Sequence, residues 1–149
     1  MEDLSSKVSV NRVMNAVAVG TTAQNSAAVD LTGFEGVRFT VLMGTITDGT
    51  PKISAQQDTS SGMGTAATLA GSGITLAATD DNRAAVLDVR RPTKGFVRCV
   101  VDRSVGAPVT GAVIDGVIAE LYGPAGPAVS QGANVAGSKS VSSPAEGAA

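Results

Sequence analysis

Apolar and polar positions alternate with a period of two over much of the chain, the spacing of strands with one buried face. The clearest run is "VRFTVLM", in which Val37, Phe39, Val41 and Met43 alternate with Arg38, Thr40 and Leu42. "AAVLDVR" (Ala84 to Arg90) and "FVRCVVD" (Phe96 to Asp102) read as two further strands, joined by "RPTKG". Weaker strand signals lie in "VMNAVAV" (Val13 to Val19), "AAVDL" (Ala27 to Leu31) and "KISAQQ" after Pro51. The turns between them carry glycine or Asp-Gly, as in "TGFEG" (Thr32 to Gly36) and "TDGT" (Thr47 to Thr50), residues that reach the positive φ of tight turns. "GAPVTGAVIDGVIAELYG" reads as a long closing strand, with Gly111 and Gly116 as bulges or bends. Strict alternation there puts Val113, Val117, Ala119 and Leu121 on one face and Ile114, Ile118 and Tyr122 on the other, so both faces need cover.

This pattern gives seven to nine short strands and no helical stretch long enough for a parallel crossover. The fold class is therefore all-β, a single antiparallel β-sandwich or jelly-roll-like barrel. The domain occupies residues 13–123, flanked by an N-terminal arm, 1–12, and a C-terminal arm, 124–149. From Gly123 onward the chain holds three prolines and five glycines, with Val129, Val135 and Val141 as its only larger apolar groups. Such a segment buries too little to offset its ordering entropy alone. Both arms are expected to gain order by lying on neighbouring molecules, with those valines as contacts. "DTSSGMGT" (Asp58 to Thr65) reads as an exposed loop tip.

Composition narrows the chemistry. The 149 residues suit one domain, only 16 % are charged, and the net charge of −2 argues against a phosphate-seeking surface. Four aromatics and no Trp leave the core to Val, Ile, Leu, Ala and Met. No histidine is present, which removes the commonest general base and metal ligand. Cys99, the single cysteine, shares a face with Val97 and Val101 and reads as a small buried hydrophobe. Asp80-Asp81-Asn82 lacks the spacing and distal Glu of a calcium loop. "GSG" (Gly71 to Gly73) lacks the Lys-Ser/Thr of a phosphate loop. Asp30 and Glu35 flank a turn with nothing to make them a catalytic pair. The chain thus reads as a non-enzyme with no cofactor, metal, nucleic-acid or membrane partner. It carries no apolar leader and no run approaching a membrane span, so intracellular synthesis is expected.

One charge feature stands out. Arg83, Arg90, Arg91, Lys94, Arg98 and Arg103 are six of the eleven positive charges, gathered within 21 residues. They form either a solvated strand face or an interaction edge for acidic surface on a partner protein.

The passages "VDLTGFEGVRFTVLMGTITDGTPKISAQQDTSSG", "RRPTKGFVRCVVD" and "GAVIDGVIAELYGPAG" resemble a family of small tailed-bacteriophage proteins encoded beside the major capsid protein. The likeness rests on Asp30, Leu31, Gly33, Phe34, Val37 and Phe39; on Thr47 to Thr50; on Phe96, Val97 and Arg98; and on Leu121, Gly123 and Pro124. It spans roughly residues 28–127, and departs from the family pattern at "DTSSG" and "RRPTKG". What it implies is a capsid decoration, or cement, protein that needs no active site. The implied partners are the major capsid protein and the chain itself, as a homotrimer. The implied location is the outer capsid surface of the virion, after synthesis in the bacterial cytoplasm. A neck or head-to-tail connector and a virion-surface carbohydrate-binding module are the alternatives, the latter disfavoured by the shortage of aromatics for sugar stacking.

Overall fold

A computed structural model describes residues 3–105, 111–127 and 129–141. It contains two antiparallel sheets packed face to face. The first sheet holds β1 (Ser9–Met14), β2 (Val17–Gly20), β5 (Gly36–Asp48), β9 (Ala84–Arg90) and β11 (Gly111–Tyr122). Its order is β1-β11-β5-β9, with β2 following β1 along the same side of β11. The second sheet holds β3 (Gln24–Asn25), β4 (Val29–Asp30), β6 (Lys52–Asp58), β7 (Ala67–Thr68), β8 (Ile74–Thr75) and β10 (Phe96–Asp102). Its centre is the β10–β6 pair, flanked by β3 and β4 on one side and by β7 and β8 on the other. The architecture is the expected β-sandwich; the alternative of a closed barrel is not formed.

Alternation decides which side chains enter the core. Val37, Phe39, Val41 and Met43 of β5 point inward at no more than 2 % exposure, while Arg38 and Leu42 face outward. Leu87 and Val89 of β9, Val117, Ala119 and Leu121 of β11, and Val97, Cys99 and Val101 of β10 complete the two inner faces. Each such burial contributes roughly 1.5–3 kcal/mol for a large side chain. With only Phe39 as a fully buried aromatic, the core is a dense array of β-branched and small residues.

The closing strand departs from simple alternation. Its pairing with β5 shifts register at Gly111/Ala112, Ala112/Ile114 and Ile114/Gly116, and Gly111 and Gly116 adopt φ of +127° and +154°. The glycines therefore mark bulges, as their positions in the sequence suggest. A bulge reverses the facing of the residues on one side of it. Ile114 is consequently fully buried and Val113 turned outward, the opposite of the facing that strict alternation gives them. β1 also begins inside the segment read as an arm, since Ser9 to Arg12 pair with Ile118 to Leu121.

Arg103 ties the sheets together. It follows β10 in the second sheet, is only 3 % exposed, and reaches across to the first. Its Nε donates to the Thr22 carbonyl at 3.0 Å, and its Nη1 donates to the carbonyls of Ala18 and Ala112 at 2.8 and 2.7 Å. Burial draws its pKa down, but a guanidinium remains charged in a protein. Arg103→Met keeps the length and leaves those carbonyls without their donor, which should cost about 3 kcal/mol or more. Urea denaturation followed by circular dichroism should show a lower midpoint at unchanged slope. A midpoint near that of wild type would show that the guanidinium does not staple the sheets.

Candidate functional site

Stretches far apart in the sequence meet at one end of the sandwich. The β4–β5 turn, the β9–β10 turn and the end of β11 form this corner. Leu31 donates its amide to the Gly95 carbonyl at 2.9 Å, Glu35 to the Tyr122 carbonyl at 3.0 Å, and Ala125 to the Gly33 carbonyl at 2.8 Å. Asp30 stands opposite Phe96 in the β4–β10 pair. Arg91, in the left-handed region at φ +49°, donates its amide to the Glu35 carbonyl at 2.8 Å. Gln57 of β6 clips the β9–β10 turn in place: its Oε1 accepts the Thr93 and Lys94 amides, and its Nε2 donates to the Thr93 hydroxyl. Between these turns lies an open groove of about 460 Å³, lined by Leu31, Phe34, Glu35, Arg91, Pro92 and Lys94 among others. Arg91 forms an ion pair with Glu35 at 3.3 Å on its rim. The groove is open and mixes apolar with polar and charged side chains, Thr32, Thr93 and Lys94 among them.

The basic residues do not form one patch. β9 and β10 belong to opposite sheets, so their outward faces point apart. Arg83 is exposed and pairs with Asp80 at 3.2 Å. Arg90 is exposed at the end of β9. Arg98 lies on the outer face of the second sheet, where Nε and Nη2 both donate to Gln56 Oε1 at 2.9 and 2.7 Å. Arg103 is the buried staple and is removed from any contact surface. Of the six, Arg91 and Lys94 line the corner groove, and Arg90 directly precedes them.

Residues 130–134 lie along residues 5–12. The amide of Gln131 acts as a peptide would toward β1: its Oε1 accepts the Val10 amide at 2.8 Å, and its Nε2 donates to the carbonyls of Ser5 and Val8 at 3.1 and 2.9 Å. The Gly132 amide donates to the Val10 carbonyl at 2.9 Å. Asn134 accepts the Arg12 amide through Oδ1 and donates to the Arg12 carbonyl through Nδ2. The Ser9 hydroxyl donates to the Ser130 carbonyl at 2.8 Å. The expectation that this segment finds order only on neighbours thus does not describe residues 130–135. It has no strand of its own, but paired side-chain amides hold it on the β1 edge. Val129 and Val135 are half-buried, whereas Val141 is 56 % exposed.

The remaining candidates are structural. Cys99 is fully buried, and burial pushes its thiol up to about 12. Asp81 Oδ1 accepts the Ile46 amide at 2.5 Å, and Asn82 donates its amide to the Gly44 carbonyl at 3.1 Å, so this turn is docked on β5. No acidic or cysteine cluster with metal-holding geometry occurs among the described residues. Asp58 was not legible as a key residue. It is fully shielded from solvent, and Met63, at φ +52°, tucks in at 6 % exposure, so the loop read as an exposed tip is organised from within. Burial acts to raise the Asp58 pKa, but hydrogen bonds from the Thr65 amide and hydroxyl and from the Thr59 and Ser60 amides outweigh it and hold the carboxyl below its ordinary value.

No protein-family model matches the chain, and a search of curated proteins finds no match. Among the described residues, no helix is long and apolar enough to cross a membrane.

Two outcomes follow from these contacts. A Cβ on Gly132 would lie 2.7 Å from the Val10 carbonyl oxygen and against the Asn11 side chain. Gly132→Val should therefore release the segment, raising hydrogen exchange at Val10 and Arg12 while the β signal stays unchanged; unaltered exchange would refute the docking. Asp30, Asp58 and Asp102 all have folded-state pKa values below the ordinary 3.8. Their contribution is therefore present above that value and lost as pH falls through the lower folded values. A melting series below pH 4 should show a steep loss of stability in wild type and a shallower one in Asp58→Asn. Parallel acid limbs would mean that Asp58 contributes nothing.

Proposed function

We propose that this protein is a bacteriophage capsid decoration protein that binds the outer surface of the major capsid protein shell and stabilises it without catalysis. The observation that carries this reading is the order and spacing of the "DLTGFEGVRF", "TDGT", "FVR" and "LYGP" motifs. Its first, third and last motifs, distant in sequence, meet at a single corner, where Asp30 stands opposite Phe96 and the Glu35 amide donates to the Tyr122 and Gly123 carbonyls. Three of the four motifs thus meet in one place, while "TDGT" closes the opposite end of β5.

Physical considerations agree with a cement role. The body is a stiff sandwich whose turns are clipped by side chains, so it can carry load between attachment points. Arg90, Arg91 and Lys94 give the corner a positive rim suited to acidic capsid surface, a contact that speeds and orients docking more than it adds affinity. Val141, 56 % exposed, is available to reach a neighbouring subunit. Joined weak contacts of this kind gain effective concentration. In this reading the protein is made in the bacterial cytoplasm and resides on the virion.

The test is reconstitution. Purified protein should co-sediment with undecorated shells, appear in electron-microscopy maps as density repeated over the whole outer surface, and raise the temperature at which DNA is released. Arg91→Ser combined with Lys94→Ser should weaken binding several-fold and flatten its salt dependence. Failure to bind shells would overturn the reading, as would density confined to a single vertex, the place of a connector.

A further inference from the structure

The backbone at the margins of the two sheets can be accounted for almost group by group. On β1, the outward amide and carbonyl of Val10 and Arg12 are met by Gln131, Gly132 and Asn134. In the second sheet, β10 is bordered by β3 and β4, and β6 by β7 and β8, all two-residue strands. Edges this short offer little to pair with. In the first sheet β2 is a further edge, four residues long, and Arg103 takes its Ala18 carbonyl; the longest margin left uncovered is β9.

β9 is seven regular residues with no proline, no bulge and an unbroken exposed–buried alternation. Its phase follows from two flanking bonds: Met43 donates its amide to the Arg83 carbonyl and Arg91 donates its amide to the Glu35 carbonyl. The odd-numbered residues, from Arg83 to Arg91, therefore bond to β5. Antiparallel alternation then turns the amides and carbonyls of Ala84, Val86, Asp88 and Arg90 away from the sheet. Among the described residues, no hydrogen bond reaches these eight groups. Val86 is also 51 % exposed, beside Leu42 at 38 % on the same outer face.

We infer that β9 is a self-pairing edge, at which a second copy of this chain adds its own β9 antiparallel across a two-fold axis, with Leu87 facing Leu87 of the second copy. In that register Ala84 pairs with Arg90 and Val86 with Asp88, each taken twice, and all eight outward groups find partners. The inward residues Ala85, Leu87 and Val89 continue both cores across the joint. No like charges stand directly opposite. The alternatives are worse on the same criteria. A slip of one residue sets outward groups against residues already bonded to β5. A slip of two either places Asp88 against Asp88 of the second copy or leaves Arg90 opposite Asn82, outside the strand and without its ladder bonds. The strand is thus its own best complement, which is what selects a second copy over an unrelated strand. An isologous joint of this kind closes at two copies. It is separate from the shell contact proposed above, and it differs from the homotrimer that the family resemblance implies.

The test uses the full chain in solution. Light scattering across a concentration series should give the mass of two chains, falling to one on dilution. Hydrogen exchange at the Val86 and Asp88 amides should slow as concentration rises, while the already bonded Leu87 amide changes little. Val86→Pro removes an outward amide without touching a β5–β9 bond, a position an edge strand tolerates. It should give a monomer with a melting temperature close to that of wild type. Should that variant fail to fold, Val86→Glu serves the same purpose by setting a like charge directly opposite Asp88 of the second copy. A wild-type monomer at every concentration, with fast exchange at Val86 and Asp88, overturns the inference and leaves the edge to a strand of another protein. So does a larger oligomer, a trimer included, that Val86→Pro and Val86→Glu leave intact. Shell binding can succeed or fail independently of either result.

Discussion

The hydrogen-bonding demand of strand margins organises this molecule. A sheet that does not close into a barrel ends in rows of backbone donors and acceptors, which must meet protein or water. The usual devices are charges, prolines or a covering helix. Here the β1 margin is instead covered by two carboxamides, Gln131 and Asn134. Each holds a donor and an acceptor in one plane, as a peptide does, and together they meet five backbone groups of the first twelve residues. The clasp needs no apolar surface, so a segment with the composition of a disordered tail can still be ordered. Gly132 completes it, because only a residue without a side chain lets the two backbones approach so closely.

Within the sandwich a second constraint operates. Small β-branched side chains fill the core densely but reach only a short way, and they do not fix the loops above them. Buried polar groups take over that task. Arg103 gathers carbonyls from β2, the turn after it and β11. Asp58 gathers amides from its own loop. Ser26 exchanges hydrogen bonds with Cys99 across the β3–β4 connection, donating its amide to the Cys99 carbonyl and accepting the Cys99 amide on its hydroxyl. Among the described residues no buried side-chain polar atom lacks a partner, the condition under which burying such groups adds rigidity instead of destabilising.

What could be read from the sequence was what depends on local alternation. β9 and β10 fall on the residues that the pattern marks, β5 contains its expected core, and the glycines of β11 announce their bulges. The parity of Ile114 could not be read, because a bulge is counted only once the partner strand is known. The apparent unity of the arginine cluster was an artefact of chain proximity. Strands adjacent in sequence usually neighbour one another in a sheet, but β9 and β10 cross from one sheet to the other, and their outer faces diverge. Arg103 and Asp58 were illegible for a related reason: their value lies in acceptors and donors spread over segments up to 85 residues away or folded back over a single tight loop. The amides of Gln131 and Asn134 carried no signal at all, since polar residues among glycines look alike whether solvated or docked. As for the corner, the motifs could be seen individually, but not that their ends would meet.

Cys99 sits at the middle of β10, sealed from solvent and held as a neutral thiol, and no other cysteine competes with it. A thiol reagent has nothing to react with until the two layers separate. The molecule thereby carries its own clock for global opening: the rate at which the lone sulfur is modified counts how often the sandwich parts, without any engineered label.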